Sequence, residues 1–407
     1  MKILFLSHYF PPEINAPASR TFEHCREWAR AGHEVTVVTC APNHPRGKVY
    51  PGYRNRLFQR EARDGIRVIR LWTWLSANEG FVLRTLNYVS YLLACVVALP
   101  WLPRADVVVS TSPQFFNGLA GWCVSRAQRV PWVLEIRDLW PESILAVGAV
   151  RNRYLIALLH RLERFAYAKA EHLVPVTDAF AAYMQGLGVD PTKITVIKNG
   201  VELDLFRHDT DGAPTRARFG LEGKLVAAYF GTHGMAHHLE TVLEAAALLA
   251  AEPDIVFVLV GDGAERERLV AEAARMGLTN LRLLEQQPKE AMPGLWAMSD
   301  VSLVLLRKSE LFKTVLPSKI FEAMGMAKPI VLGVEGEARA LVEAAHAGIA
   351  IEPEQAPALA AAVLRLARDP AERATMGRAG HTYVREHFDR RVLARRYLEL
   401  LAEVAKA

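Results

Sequence analysis

The sequence predicts an α/β protein made of two doubly wound, parallel-sheet domains in tandem, and three observations carry that prediction. Its 407 residues exceed one ordinary core. Short Val/Ile/Leu runs alternate with helical stretches, and continuous apolar runs mark strands covered on both faces by helices. The alternation pauses at Phe206–Glu222, a polar stretch holding Asp209, Asp211, Gly212 and Pro214, and then restarts. The expected boundaries are a first domain over 1–204, a second over 205–388, and a terminal segment over 389–407.

The elements follow in order. Ile3–Leu6 is predicted as a strand. The apolar run that begins the sequence stops at Leu6, and His8 and two prolines follow where a secretion signal would need a small-residue cleavage site. Ala18–Ala31 is predicted as a helix stopped by Gly32, and Val35–Thr39 as a β-branched strand. Further strands are predicted at Ile66–Leu71, Val107–Ser110, Trp132–Ile136, Leu173–Val176 and Ile194–Ile197. After the polar stretch come Leu225–Phe230, Ile255–Val260, Leu281–Leu284, Val301–Leu306 and Pro329–Leu332. Ligands of such sheets sit at the carboxyl ends of the strands, so the substrate cleft is expected between the two domains.

Composition narrows the class. With 51% apolar and 23% charged residues the chain has the make-up of a soluble globular enzyme. Cys25, Cys40, Cys95 and Cys123 show no metal-ligand spacing and read as reduced packing residues of a cytosol-facing protein. Residues 1–204 hold 24 Lys/Arg against 17 Asp/Glu, while the remainder is slightly acidic. A basic first half suggests an anionic partner: a phosphate-bearing substrate, a membrane surface or nucleic acid. A solvated basic surface is the plain alternative.

Leu86–Leu102 is strongly apolar, but its unbroken core, Tyr91–Leu99, is too short to span a bilayer. Two readings of Phe81–Pro103 stand side by side. One is a buried helix of the first domain. The other is a helix partly sunk in a membrane interface, with Trp72, Trp74 and Trp101 nearby and Arg84 and Arg104 flanking.

Chemistry concentrates in turns. In LPSKIFEAMGMAKP (Leu316–Pro329), Ser318 is placed to cap a helix whose N-terminus suits a diphosphate. Lys319 and Glu322 share one helix face, a cation for phosphate beside a carboxylate for ribose hydroxyls. A surface ion pair is the alternative. Gly261-Asp262-Gly263 and Gly231-Thr232-His233-Gly234 each follow a strand, where glycine lets backbone approach a ligand, and Arg266 lies one turn further on. In the first domain, PPEINAPAS joins the first strand to the first helix, with small residues suited to a phosphate or sugar; it brings Glu13, Asn15 and Ala16 to that turn. EIRDLWPE places Arg137, Asp138 and Glu142 after a strand, where charges are costly unless paired or used. An internal Arg137–Asp138 network is the alternative there. The sequence has no GxxxxGK[ST], HExxH or GxSxG motif. Asp209-Thr-Asp211 reads as a turn, and neither a metal nor another cofactor is expected.

Together these segments resemble family 4 retaining glycosyltransferases of the GT-B fold, over nearly the whole chain. The carriers are HYFPPEINAPASRTFEHCREWARAGHEVTVVT, VTDAFAAYMQGLGVDPTKITVIKNGVELDLF, LVGDGAERERL and LFKTVLPSKIFEAMGMAKPIVLGVEGEA. IRDLWPES, QPKEAMP, LFKTVLPSK and EHFDRR resemble the N-acetyl-fucosamine transferase subgroup of O-antigen and capsule assembly. The resemblance implies a UDP-type nucleotide-sugar donor, retention of configuration, and a lipid-linked saccharide acceptor at the cytoplasmic face of the inner membrane. It implies a donor site of Gly231, Thr232, Gly261, Asp262, Gly263, Arg266, Lys313, Thr314, Val315, Leu316, Ser318, Lys319 and Glu322. Acceptor contacts fall to Glu13, Asn15, Ala16, Arg137 and Glu142, and catalysis to Arg137, Asp138 and Lys319. It also implies that the helix around Arg390–Val404 returns to the first domain. Three departures stand out. Thr314 occupies the place of a family glutamate. GTHGMAHH lacks a family Arg and Lys, leaving Lys313, Lys319 and Arg266 as replacements. Arg137 stands in place of a histidine. A nucleotide-sugar epimerase of the same architecture is the nearest rival. A nucleic-acid binder is the rival of another class, although the basic residues form no nucleic-acid module.

Overall fold

The computed structural model describes every residue except 45, 77–80, 113–114, 147–151 and 407, with the backbone alone at 81, 82, 146 and 289. The chain divides into two compact units, Met1–Lys198 with Arg391–Ala407, and Asn199–Arg390. The break therefore falls at Lys198, six residues before the expected boundary, and the last helix belongs to the first unit.

The first unit has seven strands: β1 (Lys2–Leu6), β2 (Glu34–Cys40), β3 (Phe58–Arg63), β4 (Ile66–Leu71), β5 (Val107–Thr111), β6 (Trp132–Ile136) and β7 (His172–Pro175). Their order is β3-β4-β2-β1-β5-β6-β7, parallel except for the β3–β4 hairpin. Alternation of side chains builds two cores. On one face Ile3, Phe5, Val35, Val37, Val107 and Val109 pack with Trp28, Tyr397 and Leu401. On the other Leu4, Leu6, Val38, Val108 and Leu134 pack with Tyr91, Cys95 and Met184. The Trp28 indole N–H donates to the Ala394 carbonyl at 2.8 Å, which ties helix Arg390–Val404 to helix Ala16–Arg30.

One sequence expectation needs correction here, and one element was not expected. Ile194–Ile197 forms no strand; it runs beside β7 through one bridge, Leu173 to Ile194, and through hydrogen bonds from Thr195 and Ile197 N–H. Pro175, whose carbonyl faces this segment, has no N–H to donate back to it, so no full ladder forms. Conversely, β3 was hidden because FQREAR is charged; its Asp64-Gly65 turn, with φ of 48° and 81°, is the hairpin signal that pairs it with β4.

Helix Phe81–Ala98 has one face buried in the first unit and an apolar face that is exposed. Tyr88, Tyr91, Cys95 and Ala98 are buried, whereas Leu83, Leu86, Leu93 and Val97 are exposed, and only 28% of the Leu83–Trp101 window is buried. Trp74, half exposed, is strapped alongside: its N–H donates to Ser90 Oγ at 2.8 Å, and Asn87 Nδ2 donates to its carbonyl at 2.6 Å.

The second unit has β8 (Leu225–Phe230), β9 (Ile255–Val260), β10 (Leu281–Leu284), β11 (Val301–Leu305), β12 (Ile330–Gly333) and β13 (Gly348–Ala350). The order is β10-β9-β8-β11-β12-β13, all parallel. The strand sequence reverses between β8 and β11, the place where doubly wound sheets open a ligand crevice.

Candidate active site

The second unit puts its ligand-type turns at that reversal. The turn after β8 and the turn after β9 interlock: His233 N–H donates to the Asp262 carbonyl, and Glu265 N–H to the His233 carbonyl, each at 2.9 Å. Gly261 lies against the Gly231 carbonyl and Gly263 against the His233 carbonyl, closely enough that a Cβ at either would collide with backbone. Bare glycine is therefore required for the two turns to nest.

Lys319, on the helix Lys319–Gly325 that follows β11, reaches into this nest. Its ammonium is buried without a hydrogen-bond partner and rests 3.7 Å from the centre of the Tyr229 ring. A Cβ on Gly231 would stand 3.1 Å from the Lys319 Nζ. Burial pushes the Lys319 ammonium down to about 7, against a smaller opposite pull from Glu322. Glu322 lies one turn on, and one of its oxygens accepts the Trp296 indole N–H at 3.1 Å, which fixes the carboxylate's orientation. Arg266 opens the helix after the β9 turn and donates to the Leu284 carbonyl at 3.2 Å. The turns thus gather two cations, Lys319 and Arg266, the charge type a diphosphate needs, with a carboxylate beside them for hydroxyls.

Other expected donor residues have partners within the fold. Ser318 takes the N-cap position in helical conformation and makes no side-chain cap. The first turn of its helix is tight: Ile320 N–H bonds the Pro317 carbonyl, and Phe321 N–H the Ser318 carbonyl. Those two amides are spent internally. The Lys313 ammonium pairs with Glu310 at 2.6 Å on an exposed turn. Thr314 Oγ1 donates to the Leu311 carbonyl, Val315 is extended, and Leu316 is core. Asp262 caps its own turn by accepting the Gly263 N–H at 2.8 Å. Thr232 contributes its carbonyl, which accepts the Tyr229 hydroxyl.

In the first unit the strand order reverses between β1 and β5, and the loops after β1, β5 and β6 carry the candidates. Asn15 caps helix Ala16–Arg30 by accepting the Ala18 N–H, and Ala16 is exposed at its start. Glu13 is buried, and its carboxylate accepts N–H groups of Phe10, Asn43 and His44, so it is committed to holding the loop. Ser112, at the end of β5, accepts the N–H of Arg137 at 2.7 Å and of Asp138 at 3.3 Å, which fixes the loop after β6. Burial raises the Asp138 carboxyl to about 6, against a smaller opposite pull from the Arg84 charge. Glu142 accepts the Tyr183 hydroxyl at 3.1 Å. Glu135 serves the fold: it pairs with Arg20 at 2.9 Å, both side chains being buried, and accepts the Thr111 hydroxyl.

Residue-type reasoning missed Tyr229, His233 and Trp296, which complete the second unit's recess. The only sequence signal was their adjacency to glycine turns or to the Glu322 helix. Among the described residues no group of three or more His, Cys, Asp or Glu side chains is placed to hold a metal. Asp209 pairs with Arg207, and Asp211 caps Ala213 N–H.

Comparison with known proteins agrees with this division. Residues 15–200 match the model of a glycosyl transferase 4-like domain, and residues 214–383 that of glycosyl transferases group 1. The chain is 27% identical over 377 residues to a colanic acid biosynthesis glycosyl transferase, WcaI, of Escherichia coli (strain K12), covering 89% of this chain and 91% of that protein. It is 29% identical over 234 residues to the glycosyltransferase WbjE of Pseudomonas aeruginosa, covering 57% and 58%. Among solved structures, Anabaena HepE in complex with UDP and glucose superposes with a TM-score of 0.74 at 19% identity, covering 99% of each chain. Sucrose-phosphate synthase of Thermosynechococcus elongatus superposes with a TM-score of 0.77 at 19% identity, covering 99% of this chain and 98% of that one.

Proposed function

The chain is a GT-B glycosyltransferase of the family 4 kind, matched over both units, and from that premise we propose a specific reaction. It moves an N-acetylated deoxyhexosamine or hexosamine from a UDP-type donor to a lipid-linked saccharide, with retention, during cell-surface polysaccharide synthesis. The observation that carries this reading is the buried, unpartnered Lys319 ammonium inside the glycine-lined recess of the second unit. A buried ammonium with no hydrogen-bond partner is costly, and a diphosphate supplies acceptors for it. HepE, with the same fold, is bound to UDP and glucose in one structure and to UDP-glucose in another. WcaI is described as acting in colanic acid biosynthesis.

In this reaction Glu322 accepts hydrogen bonds from the ribose, while Lys319 and Arg266 stabilise charge building on the leaving diphosphate. The bond between the anomeric carbon and the diphosphate breaks on the face where the acceptor hydroxyl attacks, and the departing phosphate oxygen takes the acceptor's proton. Asp138 and Arg137 orient the acceptor or the transferred sugar. The acceptor's lipid is approached by the first unit at the cytoplasmic membrane face. Supporting this are the exposed apolar face of helix Phe81–Ala98, the neighbouring exposed Trp74, and exposed Arg54, Arg56 and Arg60. Arg70 is excluded from that surface, since it is buried and donates to Glu61 and to the Cys40 and Pro11 carbonyls.

The test is NMR of the linkage made from an α-linked UDP-sugar and a lipid extract. An α product supports the reading. A β product contradicts retention, and a free epimer formed without lipid favours the epimerase alternative.

A further inference from the structure

The recess contains a second buried group with nothing to bind. His233 is fully buried, and neither ring nitrogen has a hydrogen-bond partner among the described residues. Leaving both nitrogens unsatisfied is costly in a packed interior and calls for a reason. The ring is not there by slack packing. Its backbone is pinned to the β9 turn on both sides, through Asp262 and Glu265, and its Cδ2 would be 3.2 Å from a Cβ on Gly261. The ring sits 6.1 Å from the Tyr229 ring, the same ring that carries the Lys319 ammonium.

We infer that His233 is a donor-binding residue, whose uncharged imidazole gives a ring N–H to an oxygen of the donor diphosphate beside Lys319. This rests on the reading of the second unit as the nucleotide-sugar site. The ligand class follows from the surroundings. Arg266 and Lys319 are the cations whose charge reaches the ring, and Asp262, the nearby carboxylate, already accepts its own turn's N–H. An anion is the charge complement of the two cations, whereas a ribose hydroxyl is better served by the carboxylate Glu322. Burial, helped by Arg266 and Lys319, holds the imidazole down to about 4, so at neutral pH it is a hydrogen-bond donor without adding a third charge. The ring therefore supplies direction to the phosphate, while Lys319 and Arg266 supply charge.

The experiment compares UDP with uridine, by calorimetry and ligand-observed NMR, on the parent and on His233→Phe and His233→Leu. Both variants fill the site and remove the ring nitrogens, and uridine affinity reports whether the site remains folded. A lost hydrogen bond to a charged phosphate predicts about 10- to 100-fold weaker UDP binding with unchanged uridine binding. His233→Gln, which keeps an N–H, should recover part of the loss. A folded variant that binds UDP within twofold of the parent overturns the assignment, as do equal losses for UDP and uridine. A parent that binds no nucleoside diphosphate overturns the nucleotide-sugar reading itself, an outcome distinct from the other two.

Discussion

Lys319→Met is the perturbation that most exposes the logic of the recess. The methionine keeps the length of the stem and deletes a buried ammonium that makes no hydrogen bond. Burial holds the ammonium at about 7 against an ordinary 10.5. That displacement corresponds to a ceiling of roughly 5 kcal/mol. The residue as a whole is only half-buried, and water around its stem reduces the expected gain to on the order of 2 kcal/mol. For a unit of this size such a gain raises Tm by about 4–8 °C. Below pH 7 the lysine is charged in both folded and unfolded chains, and the full penalty is present. Between about 7 and 10.5 the folded lysine is neutral while the unfolded one still binds a proton, so the parent's stability rises with pH and the variant's advantage fades. Thermal unfolding of both proteins at pH 6.5 and pH 10, with UDP calorimetry on each, is the assay. The expected result is a more stable variant at pH 6.5, a smaller difference at pH 10, and UDP affinity lost by at least tenfold. A variant no more stable than the parent at pH 6.5, or one that binds UDP as the parent does, refutes the reasoning.

Three further outcomes are expected. Glu322→Ala removes the carboxylate that Trp296 orients and should weaken UDP binding by about one to two decades, read by calorimetry. Asp138, with its carboxyl raised to about 6, is ionised only above that pH; transfer should fall as pH drops through 6, and Asp138→Asn should lower the rate at pH 7.5 and flatten that limb of the pH–rate profile. Vesicle co-sedimentation should need anionic lipid, decline with added salt, and weaken when Arg54, Arg56 and Arg60 become Ser, each basic residue contributing on the order of 1 kcal/mol. Indifference to anionic vesicles at low salt would remove the membrane from the proposal.

What was legible in the sequence follows from where each signal resides. The strands buried on both faces, such as Leu225–Phe230, Ile255–Val260 and Trp132–Ile136, announce themselves as unbroken apolar runs and match the structure residue for residue. β3 escaped notice because an edge strand buries little and FQREAR carries charges, and β13 because three residues make no pattern. The glycine turns and the Lys319–Glu322 pair were readable because strand-to-helix turns of one sheet share an edge. The state of Lys319 was not readable: whether an ammonium meets a carboxylate or an aromatic ring is decided by β8 lying beside β11, a tertiary fact. The same holds for Lys313, whose partner Glu310 lies three residues away but whose side chain could equally have turned inward. That three backbone N–H groups, from Phe10, Asn43 and His44, converge on the Glu13 carboxylate could not be inferred from spacing.

The measurement that tests the central claim most directly is transfer of labelled sugar from a panel of UDP-sugars into the lipid fraction, run on the parent and on Lys319→Met. The account predicts that label from at least one UDP-sugar enters lipid with the parent, and that transfer drops by at least a hundredfold with the variant. Equal transfer by the two proteins, or sugar released or epimerised by the parent with no lipid acceptor required, would contradict it.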